Sequence, residues 1–171
     1  MILLRDEDKI NRQAFYMTAP ALTDETYPKL NNRFKYHRAP EGYKFLLESV
    51  YVVCTREDSM TSGVFELSDG HYWTGWNVFP GVENREVLAY NSFWSDQMNF
   101  AQSLHQWECK EYTLAIRSTS ASNSFRVCII VFYYLRKMSK LETLMYACVH
   151  PLRKRFRKGY ATTVELDEQS D

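Results

Sequence analysis

Apolar and polar positions follow strand-like patterns over most of the chain, and the clearest example lies between residues 112 and 135. An apolar segment at 112–117 is followed by small polar residues at 118–124 and then by the most apolar run of the sequence, 125–135. This pattern predicts a hairpin of two strands joined by a turn of small residues. On the second strand, alternate positions form two faces, one with Phe125, Val127, Ile129 and Val131 and one with Cys128, Ile130 and Phe132.

Both faces of this strand are apolar, so each face needs a covering layer. We expect one face to pack against a second sheet. The other face needs a helix or another subunit over it, and residues 139–149 are the nearest candidate within the chain.

Four further segments have the pattern of strands. Residues 43–54 alternate and then run on as apolar positions, with a break near Glu48 and Ser49 that indicates a bulge or a strand covered on both faces. Residues 64–68 and 71–73 flank the dipeptide Asp69-Gly70, which suits a type I′ hairpin turn. Residues 86–90 predict one more short strand.

Two segments carry helical spacing. Asp96 is a candidate N-cap for a short helix with Phe100, Leu104 and Trp107 at i, i+4 and i+7. Ser139 and Glu142 fit a capping box ahead of a second helix, in which two side chains satisfy the first free amides. Its apolar positions are Leu141, Leu144, Met145, Cys148 and Val149, and Pro151 is expected to end it after two to three turns.

Strands that follow one another without alternating helices predict an antiparallel arrangement. The expected fold is an all-β sandwich or barrel with one or two short helices. We divide the chain into an extended N-terminal arm at 1–42, a β-sandwich domain at 43–150, and a basic then acidic C-terminal tail at 151–171.

Composition adds limits to this fold. A length of 171 residues fits one domain, and 15 % aromatic residues can form a sizeable core. The formal net charge is zero, so bulk charge indicates neither nucleic acid nor membrane as partner. The four cysteines are widely spaced, which favours reduced thiols and intracellular production. No signal peptide is expected, and the longest apolar run is shorter than the about 20 residues that cross a bilayer as a helix.

Motifs for catalysis, phosphate binding and metal binding are absent from the sequence, including G-x-S-x-G, the P-loop, G-x-G-x-x-G and H-E-x-x-H. The four histidines are isolated, so the sequence predicts no metal site and no cofactor. Glu66, Asp69, Glu108 and Glu111 are candidates for a carboxylate pair, but turn or surface roles explain each of them. We therefore expect a protein that is not an enzyme and has no small-molecule substrate.

Two sets of residues are candidates for binding. Trp73 and Trp76 flank Gly75 near a hairpin end and could stack on sugars, although tryptophans in such folds more often belong to the core or to an interface. The basic run Arg153, Lys154, Arg155, Arg157 and Lys158 could contact phosphate of nucleic acid or of anionic lipid. A solvated helix end, offset by the acidic tail, is the alternative for the basic run, and both interpretations stay open.

The order of these elements resembles a known family of proteins. A strand at 43–54, the Asp69-Gly70 hairpin, a helix-bearing loop, the strands at 112–135 and the Ser139–Glu142 capping box resemble the single jelly-roll coat proteins of tailless icosahedral viruses. The likeness is greatest to small coat subunits of membrane-containing bacteriophages, and it covers about residues 43–150.

This resemblance implies an eight-stranded double sheet of single jelly-roll type and self-assembly into a virion, with arms that tie neighbouring subunits together. The chain would be made in the host cytoplasm and would serve as a major or accessory coat subunit. A strongly basic N-terminal arm, as in coat proteins that package RNA, is missing here. The alternative function is a carbohydrate- or ligand-binding β-sandwich module that uses Trp73 and Trp76.

Overall fold

Eight strands and one helix make up the part of the chain that the computed structural model describes, namely residues 9–21, 33–56, 62–69, 87–94, 98–120 and 123–157. The strands are β1 (Asn11–Ala19), β2 (Arg33–Arg38), β3 (Tyr43–Arg56), β4 (Ser62–Asp69), β5 (Val87–Trp94), β6 (Met98–Cys109), β7 (Glu111–Ser118) and β8 (Phe125–Lys137), and the helix is α1 (Lys140–Arg157).

The strands form two antiparallel sheets of four strands each. The first sheet has the order β1-β8-β3-β6 and the second has the order β2-β7-β4-β5. Within these orders β1 pairs with β8, β2 with β7, β3 with β6 and β4 with β5, so the pairs are nested like the two arms of one long hairpin that has been rolled up. This nesting is the topology of a single jelly roll, and the predicted all-β sandwich of that type is confirmed.

The predicted hairpin at 112–135 is wrong in its pairing, although both of its strands exist. β7 lies in the second sheet, between β2 and β4, whereas β8 lies in the first sheet, between β1 and β3. The connection between them therefore crosses from one sheet to the other. Ser118 organises this crossing, because its buried hydroxyl donates to the Asn123 carbonyl (2.8 Å) and accepts from the Ser120 amide (3.2 Å).

The predicted pairing of residues 64–68 with 71–73 across Asp69-Gly70 is also wrong. β4 is flanked by β5 on one edge and by β7 on the other, so both edges are occupied over most of its length. One partner, β5, is the next described strand of the chain, and the other, β7, comes from much further along it. The expected second strand at 71–73 lies outside the described residues, whereas the short strand expected at 86–90 is confirmed as part of β5.

The helix predicted after Asp96 is wrong, because Met98–Cys109 forms the edge strand β6. Asp96 itself lies outside the described residues. Phe100 and Leu104 are an even number of positions apart and both pack on the core, as a strand face requires. Trp107 also packs on the core because an irregularity before it shifts the alternation by one residue.

That irregularity lies opposite the predicted bulge in β3, which is confirmed. The pairing of β3 with β6 and with β8 shifts register between Leu47 and Ser49. On β6, His105 and Gln106 have φ angles of 51° and 58°, in the left-handed region that side chains other than glycine adopt at a cost. Both residues are exposed, so the extra residues of the bulge project into solvent.

The segment at 1–42 is more than an extended arm. β1 pairs with β8 along its whole length, from Asn11 opposite Tyr133 to Ala19 opposite Phe125, and β2 pairs with β7. The sandwich therefore starts at β1, and the boundary expected at residue 43 does not separate arm from sandwich. The inward side of β1 carries Phe15, Met17 and Ala19, which belong to or pack on the core. Its outward side also carries Ala14 and Tyr16, so the alternation of apolar and polar residues is weak in the sequence.

The core lies between the two sheets. It is built from side chains at alternate positions of β3, β4, β7 and β8, and the largest fully buried ones are Phe45, Leu47, Phe65, Leu67, Tyr112, Leu114, Ile116, Phe125 and Ile129. Towards one end of the sandwich the core becomes aromatic. There the His37 ring stacks on Phe45 with centroids 5.2 Å apart, and Tyr133 meets the same Phe45 ring edge to face at 4.9 Å.

At that end a tight turn links β2 to β3. The Tyr43 amide donates to the Pro40 carbonyl (3.1 Å), and Gly42 has a φ of 77°, as the third position of a type II turn requires. The ammonium group of the buried Lys110 donates to the carbonyls of Ala39 (2.9 Å) and Tyr43 (2.7 Å) and also to that of Pro40. These bonds fix the β6–β7 corner to the β2–β3 corner.

Helix α1 begins with the predicted capping box, which is confirmed. The Glu142 amide donates to Ser139 Oγ (3.2 Å), and the Ser139 amide donates to Glu142 Oε2 (2.7 Å). Pro151 does not end the helix, which continues to Arg157. Proline inside a helix removes one amide donor but leaves the following turn able to continue, so α1 extends into the segment predicted as a tail.

Removing the capping hydroxyl should weaken α1. We expect Ser139→Ala to destabilise the protein by about 0.5–2 kcal/mol, because the Glu142 amide loses its acceptor. The measurement is thermal unfolding followed by circular dichroism at the helix wavelength. Ser92→Ala, which changes an exposed serine on β5, is the control. Equal unfolding curves for the Ser139 variant and the wild type would contradict the assigned role of this cap.

Relieving the left-handed backbone in β6 should stabilise the fold. We expect Gln106→Gly to raise the free energy of unfolding by about 0.5–1 kcal/mol, because glycine adopts a positive φ without steric cost. Ala101→Gly, at an exposed position of the same strand with no positive φ, should lower it by a similar amount. Denaturant unfolding of both variants measures the contrast, and a loss of stability in both would show that residue 106 carries no strain.

Candidate interaction surface

The first sheet has a solvent side that is largely apolar, and we call it the outer face. One of its two central strands is β8, where Phe125, Val127, Ile129 and Val131 are buried in the core. The alternate residues on the same strand, including Cys128, Ile130 and Phe132, point away from the core and are partly exposed. The two apolar faces predicted for this strand are therefore confirmed.

Neighbouring strands extend the outer face on both sides of β8. Cys128 lies opposite Tyr16 of β1 and Val53 of β3, which forms one row across the sheet. Ile130 lies opposite Ala14 of β1 and Tyr51 of β3, which forms the next row. The registers thus place the apolar residues of three strands side by side.

The exposure of this surface is large for apolar side chains. Tyr16 is 77 % exposed, Tyr51 45 % and Val53 39 %. The rings of Tyr51 and Phe132 meet edge to face with centroids 5.4 Å apart, an arrangement favoured between aromatic rings. A contiguous exposed apolar patch on a folded protein is typical of a surface that another molecule covers.

Arginines lie along two margins of the apolar patch. Arg12, opposite Phe132, and Arg126, opposite Thr18 and Thr55, are both exposed and lie on the solvent side of the sheet. An apolar centre with a polar rim is the composition found in protein interfaces, where tyrosine, phenylalanine and arginine are enriched.

The second sheet differs from the first. On β4 and β7 the side chains that alternate with the core positions are also buried, among them Val64, Glu66, Ser68, Thr113 and Ala115. Over β4 and β7 its solvent side is thus buried and partly polar, while that of the first sheet is exposed and apolar over β8 and its neighbours.

Helix α1 does not cover the outer face, so the expectation that residues 139–149 lie over β8 is wrong. The helix instead meets the sandwich at the end where β8 finishes. Glu142 Oε1 lies 2.6 Å from Arg136 Nη2 and 3.2 Å from Lys44 Nζ, and both cations also contact Glu108 Oε1 at 2.7 Å. Two cations and two carboxylates thus join α1, β3, β6 and β8.

One turn further along α1, Tyr146 makes the second contact with the sandwich. Its ring lies 5.5 Å from the Arg38 guanidinium and 5.8 Å from the Lys110 ammonium, at distances that allow cation–π attraction. Its hydroxyl donates to Glu111 Oε2 (3.5 Å), which also accepts from the Tyr36 hydroxyl. Burial raises the pKa of Tyr146 to about 12, so the hydroxyl keeps its proton at neutral pH.

These contacts leave the apolar side of α1 in solvent. Leu141 is 67 % exposed, Leu144 61 % and Met145 58 %, and Cys148 is exposed as well. We call these four residues the apolar stripe. The helix therefore packs its polar residues on the sandwich and presents its apolar residues outward, the reverse of what amphipathic patterning predicts for a surface helix.

The basic run predicted as a phosphate contact falls partly within α1. Arg153, Lys154, Arg155 and Arg157 belong to its last turns, while Lys158 lies outside the described residues. Trp73 and Trp76, the predicted stacking pair, also lie outside them. The sugar-binding alternative therefore gains no geometric support from the described residues.

The candidate carboxylates have structural partners. Glu108 is held in the ion-pair network, and Asp69 Oδ2 accepts a hydrogen bond from Trp107 Nε1 (3.2 Å). Glu111 accepts from two tyrosines, and Glu66 is buried on β4. Within the described ranges, no group of three or more histidine, cysteine, aspartate or glutamate side chains could hold a metal ion.

The cysteines of the core are poor nucleophiles. All four cysteines are free thiols. Burial raises the pKa of Cys54 to about 11, and it also raises the pKa of Cys109. Since the thiolate is the reactive form, neither thiol is activated at neutral pH. In the described part of the chain, no helix is both long and apolar enough to cross a bilayer.

Sequence reasoning identified β8 as a strand with two apolar faces but did not find Tyr16, Tyr51 and Val53 as its neighbours. Their registers depend on pairing between strands far apart in the chain, for which a single sequence carries no direct signal. The exposure of the apolar stripe was also missed, because the helical pattern identifies an apolar side without identifying what it faces.

The ion-pair network should make the docking of α1 sensitive to acid. Hydrogen bonds from Arg136, and further bonds from Ser139 and Lys44, hold the pKa of Glu142 far below its usual value. A depressed pKa stabilises the folded protein above the ordinary glutamate value of about 4.3, and this contribution is lost as the pH falls below it. We expect wild-type unfolding temperatures to fall more steeply below that pH than those of Glu142→Gln. Parallel pH profiles for the two proteins would contradict this role of Glu142.

Comparison with known proteins gives no family for this chain. Neither the models of known protein families nor the curated proteins contain a match to the sequence.

Proposed function

We propose that this chain is a structural virion protein, a single jelly-roll coat subunit that assembles with further copies through its outer face. The observation that carries the proposal is the open apolar face of the first sheet, built around Ile130 with Tyr16, Tyr51, Val53 and Phe132. Exposed aromatic and aliphatic side chains in adjacent rows favour a protein partner over solvent.

A second copy of the chain suits this face in shape. A four-stranded sheet offers a broad, slightly twisted surface, and the same surface on another subunit can lie flat against it. The exposed rings of Tyr16 and Tyr51 would then be buried between two sheets, as apolar side chains are within the sandwich itself. This contact stabilises assembly by the same burial that stabilises the fold.

Sheet edges give a second reason to expect assembly. β1 and β6 are the edge strands of the first sheet, and β2 and β5 those of the second. An edge strand offers backbone groups that a neighbour can pair with or must cover. On β6 the exposed bulge at His105 and Gln106 interrupts such pairing, so the regular edge of β1 is the better site for a neighbour.

Jelly rolls also serve as lectins and cupins, which bind sugars or metal ions. The metal-binding variant needs a cluster of ligands, and the described residues hold none. The sugar-binding variant depends on Trp73 and Trp76 and is the competing function. As a coat subunit, the protein would be made in the host cytoplasm and would have other coat subunits as its partners.

Assembly should depend on the outer face. We expect the wild-type chain to form oligomers or particles in analytical ultracentrifugation, and the double variant Tyr16→Glu, Tyr51→Glu to sediment as a 20.3 kDa monomer. Both tyrosines are exposed, so their replacement should leave the strand signal in circular dichroism unchanged. Deleting residues 1–42 is a poorer test, because it removes β1 and β2 from the sandwich.

The control is Tyr90→Glu, which changes a tyrosine that is 52 % exposed on β5 of the other sheet. It should assemble like the wild type. A wild-type protein that stays monomeric at every concentration would contradict the proposal. A monomer that binds glycans, and loses the binding in Trp73→Ala or Trp76→Ala, would establish the sugar-binding alternative instead.

A further inference from the structure

We infer that α1 is a helix for the surface of an anionic lipid bilayer. In this arrangement the apolar stripe enters the boundary between head groups and acyl chains, while the basic run beside it contacts lipid phosphates. The inference rests on α1 and not on the outer face, so it can be correct or wrong independently of the proposed assembly.

The first observation is the reversed orientation of the helix. Three large apolar side chains of the stripe are each more than half exposed, whereas Glu142, Thr143 and Tyr146 are the partly buried residues of the same turns. An apolar stripe in water is unfavourable, so a partner that covers it lowers the free energy of the protein. The described part of the chain places no element over it.

The second observation is that α1 is held in this orientation. The capping box fixes its first turn, Glu142 contacts both Lys44 and Arg136, and Tyr146 lies against Arg38 and Lys110. The contacts come from both sheets and from the corners between them. The stripe is therefore presented by a folded support, and binding need not first order the helix.

The third observation is the charge of the same helix. Five of the six residues at 153–158 are cationic, and the helix continues through Arg157. Leu152 and Phe156 follow Cys148 at i+4 and i+8, which continues the helical spacing of the apolar positions into the basic run. Apolar residues at helical spacing together with lysine and arginine are typical of helices that lie in the membrane interface.

This combination favours lipid over nucleic acid. A nucleic-acid backbone would pair with the cations but leave the apolar stripe in water. An anionic bilayer uses both features, because its phosphates attract the cations within a Debye length and its interior accepts the apolar side chains. A protein partner would need an acidic groove beside an apolar one, and it remains the competing outcome of the test.

The test is flotation of the full chain with vesicles of phosphatidylcholine alone or of equal parts phosphatidylcholine and phosphatidylglycerol. We expect binding to the mixed vesicles that weakens as salt is raised, and little binding to phosphatidylcholine alone. The triple variant Leu141→Gln, Leu144→Gln, Met145→Gln should bind the mixed vesicles at least about tenfold more weakly. The variant with Arg153, Lys154, Arg155, Arg157 and Lys158 all changed to Gln should lose the binding and its salt dependence.

A matched control changes three exposed apolar residues elsewhere, Ile10→Gln, Val87→Gln and Tyr90→Gln, which are 53 %, 46 % and 52 % exposed. It should bind the mixed vesicles like the wild type. Unchanged binding in the stripe variant would overturn the inference, as would a wild type that does not float. If the stripe variant instead dissociates an oligomer and the wild type ignores vesicles, the stripe is a protein contact.

A second measurement does not depend on how well the stripe variant folds. The exposed Cys148 thiol can be labelled with a polarity-sensitive dye in a Cys128→Ser background, because Cys54 and Cys109 are buried. The dye emission should shift to the blue on adding the mixed vesicles and should not shift with phosphatidylcholine alone. No shift with either vesicle would overturn the inference even if the protein floats.

Discussion

The pairing of β3 with β8 is the constraint on which the rest of the fold depends. These two strands are the longest in the protein and run side by side from Tyr43 opposite Lys137 to Arg56 opposite Phe125. Because they are central in the first sheet, β1 and β6 can only be its edges, and the chain must cross to the second sheet between these strands. The register of this pair also decides which apolar residues enter the core and which form the outer face.

The same pairing explains why one sheet is open. Both strands are apolar on both sides, and the second sheet can cover only one side of them. The helix that follows β8 would be the natural cover, yet the charges at the end of the pair direct it elsewhere. Lys44 and Arg136 lie opposite each other on the solvent side and attract Glu142, which holds α1 at the end of the sandwich. Two apolar surfaces, the outer face and the stripe of α1, are therefore left uncovered by the described residues.

Much of this arrangement was predictable from local patterns. The strands β3, β7 and β8, the bulge near Ser49 and the capping box at Ser139 were all found from spacing and residue type, because each depends on neighbours within a few positions. The hairpin at 112–135 was predicted wrongly, because β7 and β8 lie in different sheets and the turn residues carry no signal of that change. The hairpin at 64–73 was predicted wrongly for another reason, because β4 pairs with β5 and β7 over residues 64–68. The spacing of Phe100, Leu104 and Trp107 matches that of a helix because a bulge in β6 shifts the strand alternation by one residue. The side of α1 that packs on the sandwich was not predictable from the sequence, because ion pairs with residues distant in the chain decide it.

The central claim is that the outer face is a contact between subunits, and electron microscopy of the assembled protein tests it most directly. A map that resolves the sandwich of each subunit should show the sheet β1-β8-β3-β6 against a neighbouring subunit, with Tyr16, Tyr51 and Ile130 buried at the contact. A map in which this sheet faces solvent, while subunits meet through other surfaces, would contradict the account.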